Sequence, residues 1–308
     1  MSPAEEFQTL LVRTLVAGMR GLSWQRSLRV GESIGDLVMR LGVRRRTAEE
    51  NLERAFPEWE EDRRREVLRD HYRELGRVAA EYARLAELVR APIGEVIAEV
   101  RGAEHLEGAR AGGRGAILLT GHFGNFELLG AFLGRTNPVD FLVRPLKNPG
   151  VEALIARWRE AAGVGQIAAG AGIRRVYEAL RANHWVAVLA DQDARHHGTF
   201  VPFLGRPAST PIGPARLSLA TGAPIIMGFC ARRADGRHEL DVDPPLQVDD
   251  PAAADAAERL TALHTGRLEQ WVRRRPEQWF WLHRRWKTRP PCEGERQAGP
   301  AGEKSRRT

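Results

Sequence analysis

The sequence predicts an α/β fold with a mixed, largely parallel sheet flanked by helices, preceded by a helical N-terminal region. After residue 112, short apolar runs alternate with helical patterns, as is typical of parallel strands covered by helices. The apolar runs predict buried strands at 116–120, 139–143, 185–190 and 223–229. The patterns between them predict helices at about 126–133, 150–161, 172–183 and 212–221.

The first hundred residues predict helices throughout. Apolar residues recur at helical spacing over 7–22, with Arg13, Arg20 and Arg26 nearby. A basic amphipathic helix of this kind either packs on a core or lies in a lipid interface, and the pattern leaves both possibilities open. Residues 47–90 predict further helices that Pro57 interrupts.

Charge and cysteine content narrow the class of protein. The 47 Lys and Arg residues against 40 Asp and Glu give a net charge of +7, which favours an anionic partner: a membrane, a nucleic acid or a phosphorylated substrate. The two cysteines have no metal or redox spacing, so a reducing cytoplasm is expected. No apolar run reaches the roughly 18 residues of a spanning helix, and Glu5 and Glu6 argue against a signal peptide.

The segment 117–127 predicts a strand, a glycine-containing turn and a helix. His122 is expected at the end of the strand, and Glu127 in the first helical turn behind a cap at Asn125. A neutral histidine can take a proton from an attacking hydroxyl while a carboxylate on its other nitrogen holds the tautomer. We therefore predict His122 as general base and Glu127 as its orienting acid, with turn N–H groups as candidate oxyanion donors. A purely structural pair is the alternative, because one His and one Glu at this spacing are a weak signal.

Other charged side chains follow predicted strands at the same sheet edge. Arg144 and Lys147 are expected to bind a phosphate of a substrate, or else to be solvated loop residues. Asp191 and Asp193 end another strand, where one carboxylate would approach His122 or polar groups of the substrate; the sequence slightly favours Asp193. A metal site is a weak alternative, because a third ligand is lacking.

Seven motifs together resemble those of the late acyltransferases of lipid A biosynthesis, the lauroyl and myristoyl transferases, within the wider glycerolipid acyltransferase superfamily. The resemblance covers about residues 10–290. The motifs lie at Asn51–Pro57, Gly121–Glu127, Arg144–Pro149, Ala190–Asp193, Val201–Gly205, Gly213–Arg216 with Thr221–Pro224, and Pro276–Lys287. His122 and Glu127 match the superfamily's motif of a histidine, four residues and an acid, with Glu where Asp is more frequent.

The resemblance implies an acyl-carrier-protein thioester as donor, a lipid A precursor as acceptor, no cofactor, and work on the cytoplasmic face of the inner membrane. Family members often have a clearer spanning anchor, but Arg13 and Arg20 interrupt the apolar stretch here, so peripheral or shallow attachment is expected. We expect a membrane-associating helical region at 1–100, a catalytic α/β domain at 101–291 and a disordered tail at 292–308.

Two further segments have more than one interpretation. Residues 200–205 are expected as an apolar loop that either binds an acyl chain or bilayer or folds onto the core. Residues 271–289 combine four Trp with seven cations, which suits an anionic headgroup layer, single-stranded nucleic acid, or buried Trp with solvated Arg. The predicted His/Glu pair favours an enzyme and no nucleic-acid partner. Three hypotheses remain: a lipid A acyltransferase, an acyltransferase for another glycolipid, and a noncatalytic nucleic-acid-binding protein.

Overall fold

The computed structural model of the protein describes residues 1–170 and 172–291, so the tail predicted at 292–308 lies outside the described residues. Its N-terminal part is helical, as predicted, and the predicted break at Pro57 falls between two helices. The first helix begins earlier than predicted, because Ser2 and Glu5 form a reciprocal capping box. The helices are α1 (Pro3–Arg20), α2 (Trp24–Arg40), α3 (Arg45–Ala55), α4 (Glu61–Tyr82), α5 (Leu85–Arg90) and α6 (Ile93–Val96).

The remainder is an α/β unit, and all four predicted strands and all four predicted helices of this part are present. Its strands are β1 (Ile97–Arg101), β2 (Ala116–Thr120), β3 (Val139–Val143), β4 (Val164–Ala168), β5 (Trp185–Leu189), β6 (Thr199–Phe203), β7 (Arg206–Thr210), β8 (Ile225–Arg232) and β9 (His238–Val242). Its helices are α7 (Ala103–Ala111), α8 (Phe126–Leu133), α9 (Pro149–Ala161), α10 (Ile173–Arg181), α11 (Gly213–Thr221) and α12 (Ala256–Arg274).

Seven strands form one mixed sheet in the order β1-β9-β8-β2-β5-β3-β4. Every neighbouring pair is parallel except β8 and β9, which confirms the predicted, largely parallel sheet. The central strand β2 lies between β5 and β8, and its last residue, Thr120, is opposite Leu189 at the end of β5. The segments that follow β2 and β5 therefore leave the sheet side by side.

The helical region shares its hydrophobic core with the sheet. Buried side chains of α3 and α4, including Leu52 and Tyr72, belong to the same cluster as Ile117 and Leu119 of β2. The backbones of α2 and α4 are in close contact, since a Cβ atom at Gly76 would lie 1.9 Å from the carbonyl oxygen of Gly31. Burial of this shared apolar surface is what holds the helices against the sheet.

The structure corrects several expectations. Strands β1, β4 and β9 were not predicted. Residues 199–210 form the antiparallel hairpin β6–β7 instead of a loop, and Phe203 and Leu204 are buried. Trp271, Trp279 and Trp281 are buried as well, together with Trp286, so these rings face the core. No helix in the described part of the chain is long and apolar enough to cross a membrane.

Candidate active site

The turn between β2 and α8 has a tightly determined backbone. Gly124 has a φ of +53°, and a Cβ atom there would lie 2.0 Å from the carbonyl oxygen of Cys230, so only glycine fits. Asn125 caps α8 as predicted, because its side-chain oxygen accepts the N–H of Leu128 at 2.9 Å. This turn places the imidazole of His122 beyond the end of β2.

The hydrogen-bonding partner of His122 is Asp191. The imidazole Nδ1 lies 2.7 Å from Oδ1 of Asp191, and the backbone N–H of His122 donates to Oδ2 of the same carboxylate at 2.8 Å. The indole N–H of Trp279 also donates to Oδ2, at 2.9 Å. One buried carboxylate therefore orients both the ring and the main chain of His122.

The two groups of this pair stabilise each other's charged form. Burial alone would raise the pKa of Asp191, but His122 and the N–H donors lower it to about 2. Burial would lower the pKa of His122, whereas the adjacent Asp191 charge and hydrogen bond raise it overall. Asp191 is thus ionised at neutral pH, and the imidazole is more basic than free histidine.

The second ring nitrogen of His122, Nε2, does not contact Asp191. Since Nδ1–H donates to Asp191, Nε2 is left as the acceptor, and the amide Nε2 of Gln192 lies 3.4 Å from it. The rings of Phe126 and Phe280 lie beside the imidazole, with centroids 5.4 Å and 5.9 Å away. The histidine side chain is 24% exposed, so Nε2 can meet a substrate while most of the ring is fixed.

Glu127 does not make the hydrogen bond that the sequence predicts. Both of its carboxylate oxygens accept from Arg159 of α9, from Nη2 at 2.6 Å and from Nε at 3.1 Å. The first turn of α8 directs Glu127 toward α9, whereas Asp191 follows the strand next to β2. The predicted contact between Glu127 and the imidazole is therefore wrong; the negative charge of Glu127 still contributes to the raised pKa of His122.

Four N–H groups of the turn are already engaged within the protein. The N–H of His122 donates to Asp191, that of Phe123 to Gly121, that of Gly124 to Gln278 and that of Asn125 to Cys230. The turn uses these four amides to hold its own shape, so the prediction fails for them and stays a prediction for the other N–H groups of the turn. The side-chain amide of Gln192 is the donor nearest to the imidazole Nε2 among the described hydrogen bonds.

The other predicted residues lie at the carboxyl edge of the sheet. Arg144 and Lys147 are exposed on the segment after β3. Asp193 is partly buried; its N–H donates to Nε2 of His283 at 2.9 Å, and its Oδ2 accepts from the Thr288 hydroxyl at 2.9 Å. The sequence slightly favoured Asp193, but Asp191 is the acid that reaches His122.

An apolar cavity lies between α8 and the sheet. Its walls include Phe126 and Leu129 of α8, and Phe141, Val143 and Leu189 of β3 and β5. Phe126 contacts the imidazole, so the cavity begins beside the proposed base. Such a surface suits a hydrocarbon chain.

A buried ionic network supports the turn from behind. Arg232 of β8 donates to Glu74 and to Glu81 of α4, and Glu81 also contacts His238 at 3.0 Å. The side-chain amide of Asn125 donates to Glu81 at 2.8 Å. The network therefore ties the cap of α8 to α4 and the β8–β9 pair. The described residues contain no cluster of three or more His, Cys, Asp or Glu that could hold a metal ion.

Comparisons with known proteins identify the family of the chain. A family profile described as bacterial lipid A biosynthesis acyltransferase matches residues 4–288. The lipid A biosynthesis lauroyltransferase of Escherichia coli (strain K12) is 30% identical over 274 residues, and the palmitoleoyltransferase of the same strain is 28% identical over 265, each covering 85% of both chains. A phosphatidylinositol mannoside acyltransferase of Mycobacterium tuberculosis is 31% identical over 194 residues, which is 61% of this chain and 59% of that protein. The chain is an O-acyltransferase and belongs to the bacterial lipid A biosynthesis acyltransferase family.

Proposed function

We propose that the protein transfers a fatty acyl group from an acyl-carrier-protein thioester to a hydroxyl of a lipid A precursor, at the cytoplasmic face of the inner membrane. The observation that supports this best is the His122–Asp191 pair, because Phe126 lies beside the imidazole and also lines an apolar cavity. The family to which the chain belongs supports the lipid A precursor as acceptor.

In the proposed mechanism, His122 acts as general base. The acceptor hydroxyl gives its proton to Nε2 as its oxygen attacks the thioester carbonyl, and Asp191 stabilises the imidazolium that forms. The tetrahedral intermediate then breaks its C–S bond, and the imidazolium returns the proton to the departing thiolate. An ester and a free thiol result, and no covalent bond to the enzyme is formed.

Gln192 is the proposed donor to the oxyanion. Its amide contacts Nε2 of His122, so a hydroxyl that binds Nε2 displaces this contact and frees the N–H groups for the developing charge. Glu127 stays in the proposed catalytic set through its charge: it favours the imidazolium electrostatically while Arg159 holds it in place.

The two substrates would lie on different surfaces. The fatty acyl chain would occupy the apolar cavity beside Phe126. Arg144 and Lys147, with Asp193 further along the edge, would bind charged and polar groups of the acceptor or of the donor's phosphopantetheine.

The helix α1 would bring this edge to the membrane. Asn148, next to Lys147, donates to the carbonyl of Glu5 at 3.0 Å, and the hydroxyl of Thr9 donates to Asn148 at 3.2 Å. These bonds attach α1 beside the proposed headgroup-binding segment. The exposed apolar residues of α1 therefore lie near the place where a lipid acceptor would bind.

The test is acyl transfer by the purified protein from a lauroyl or myristoyl acyl-carrier protein to a lipid A precursor. We expect His122→Ala to lower turnover by about 10²- to 10⁴-fold. His196→Ala is the matched control, since His196 is exposed, and it should keep normal turnover. A folded His122→Ala protein with near-normal turnover would refute the mechanism.

A second acceptor class is supported by one comparison. The relative from Mycobacterium tuberculosis is named for phosphatidylinositol mannoside, so the same family of active sites accommodates another glycolipid. Mass spectrometry of lipids from cells with and without the gene separates the two possibilities: loss of one acyl chain from lipid A supports the first, and a change only in another glycolipid supports the second. Nucleic-acid binding by stacked Trp rings loses its basis, because Trp271, Trp279, Trp281 and Trp286 are buried.

A further inference from the structure

A second, small cavity lies against Asp191, and its walls include Thr120 of β2, His264 of α12 and Arg285. Three of its wall residues each have a buried polar atom without a hydrogen-bond partner among residues 1–170 and 172–291. These atoms are Oγ1 of Thr120, Nε2 of His264 and Nε of Arg285. Buried polar atoms are nearly always hydrogen-bonded, so three orphans around one cavity require an explanation.

Arg285 is a buried cation with no carboxylate in contact. Its Nη1 donates to the carbonyl of Ser209 at 2.6 Å and its Nη2 to the hydroxyl of Thr210 at 2.5 Å, both neutral acceptors. Burial lowers its pKa to about 10, so it remains charged at neutral pH. No salt bridge of Arg285 occurs within the described part of the chain, and the negative charges acting on it are those of Asp191 and Asp193.

The size of the cavity and the charges in its walls indicate which molecule it can hold. The space is about that of one water molecule. An anion is disfavoured because the Asp191 carboxylate forms part of the wall. Burial and the Arg285 charge lower the pKa of His264 to about 3, so its imidazole is neutral and can accept a hydrogen bond. Water can accept the N–H of Arg285, donate to His264 and bond the hydroxyl of Thr120.

We propose that this cavity binds one ordered water molecule that joins Arg285 to Thr120 and His264, and that Arg285 is a positioning residue for the His122–Asp191 pair. Water at this point completes the hydrogen bonds of three buried groups and fixes the guanidinium beside the carboxylate. The positive charge then adds to the His122 and Trp279 contacts that favour the ionised form of Asp191, and it opposes uptake of a proton by the pair. The positioning role rests on the proposed function of His122, whereas the water site does not.

The water site is tested by a crystal structure at a resolution that shows individual waters. We expect a single peak within hydrogen-bond distance of Arg285 Nε, Thr120 Oγ1 and His264 Nε2; a dry cavity would overturn the proposal. Thr120→Val keeps the shape of the side chain but removes the hydroxyl, and Thr120→Ser is its matched control. In Thr120→Val the water should be absent, and kcat should fall by about three- to tenfold at unchanged KM. In Thr120→Ser the water and the parental kcat should both be retained. Unchanged kcat in the valine variant counts against the link to catalysis.

The electrostatic role is tested by titrating His122 with NMR, which does not depend on acyl transfer. Arg285→Gln removes a buried charge beside the pair, and Arg284→Gln removes the same charge from the exposed neighbouring residue. We expect Arg285→Gln to raise the pKa of His122 by about half to one pH unit and Arg284→Gln to leave it in place. The same pKa of His122 in Arg285→Gln and in Arg284→Gln would overturn the proposal. If Arg285→Gln does not fold, the role of Arg285 is tested with Thr120→Val and Thr120→Ser. The pKa of His122 and kcat are then measured in these two variants. A failure of the acyl-transfer reaction itself would leave the NMR and crystallographic results unaffected.

Discussion

His122 and Asp191 meet because they occupy equivalent positions after two adjacent parallel strands. Thr120 at the end of β2 is opposite Leu189 at the end of β5, and His122 and Asp191 each follow two positions later. The result is a distance of 2.7 Å between the imidazole Nδ1 and the carboxylate Oδ1. The sheet itself therefore sets the geometry of the proposed base and its orienting acid.

The pH dependence of acyl transfer follows from this pair. The pKa of His122 is raised above its usual value of about 6.5, and the base must be neutral to accept a proton. We therefore expect kcat/KM to rise with pH through an acidic limb above pH 6.5. In Asp191→Asn the imidazolium loses its stabilising charge, so the limb moves to lower pH.

The same substitution should also reduce turnover, because the tautomer of His122 is no longer held. A loss of about 10²- to 10⁴-fold is expected. Asp193→Asn is the matched control, since Asp193 contacts Thr288 and His283 rather than His122. An unshifted acidic limb in Asp191→Asn would show that another group controls the profile.

Glu127 and Arg159 should behave as a coupled pair. Both side chains are largely buried, and removal of one leaves the other as an unpaired buried charge. Glu127→Ala should therefore lose most activity and destabilise the protein by about 3 to 5 kcal/mol. Glu127→Asp should be less impaired, and the double variant Glu127→Ala with Arg159→Ala should be more stable than Glu127→Ala alone.

Thermal or denaturant unfolding measures the predicted loss of stability, and steady-state kinetics measure the predicted loss of turnover. Glu178→Ala, which breaks the exposed pair between Arg174 and Glu178, is the control and should change stability little. Parental activity in Glu127→Ala would remove Glu127 from the catalytic set. Strictly additive destabilisation in the double variant would show that the two residues are not coupled.

Gln192 should affect kcat more than KM if it binds the oxyanion. We expect Gln192→Ala to lower kcat by about tenfold or more, because an oxyanion donor acts mainly in the transition state. Gln192→Glu should lose more, since a carboxylate cannot donate and repels the developing charge. Steady-state kinetics check this against Gln247→Ala, a change at an exposed glutamine. A change confined to KM would instead make Gln192 a ground-state binding residue.

A direct attack predicts no acyl-enzyme. Cys230 is fully buried within β8, and His122 is the proposed base rather than a nucleophile. Intact-protein mass spectrometry after incubation with donor alone should therefore show the unmodified mass. A stoichiometric adduct that disappears when acceptor is added would require a two-step mechanism.

The sequence predicts the local parts of this site well and the long-range contacts poorly. The strand 116–120 and the helix 126–133 are present at their predicted bounds, because their apolar patterns and the cap at Asn125 are local signals. The partner of His122 depends on which strand lies next to β2, and β5 begins 65 residues later at Trp185. The strand ends predict that Asp191 or Asp193 approaches His122 or the substrate, but no local signal ranks that contact above one with Glu127, the acid nearest in sequence.

The Trp-rich segment was ambiguous for a related reason. Rings and cations alternate along 271–289, and both the core and a membrane surface favour such a composition. In the structure the Trp279 and Trp281 rings pack edge to face with centroids 4.6 Å apart, and Trp279 donates to Asp191. The aromatic residues therefore help to build the site from inside the core, which their spacing along the chain does not reveal.

Membrane attachment is predicted to be peripheral and to depend on α1. Phe7 and Leu10 of this helix are 67% and 61% exposed, which leaves an uncovered apolar face. Arg13 and Arg20 are exposed as well, and a charge at the bilayer centre costs at least about 2.5 kcal/mol on insertion scales. We therefore expect the helix to lie in the interface, with its arginines near anionic headgroups that contribute on the order of 1 kcal/mol each at low salt.

The salt and detergent sensitivity of the bound protein tests this arrangement. Because salt screens the arginine contacts but not apolar burial, high salt should release part of the protein and mild detergent should release more. Phe7→Ser with Leu10→Ser should weaken binding to anionic vesicles, whereas Ile173→Ser with Leu263→Ser, at exposed apolar sites on other helices, should not. Protein that resists carbonate and high salt, with a tag at Met1 protected on the far side of the bilayer, would show that α1 spans the membrane. In that case the arginines of α1 would have to be neutralised or hydrated within the bilayer, and the interfacial arrangement would be wrong.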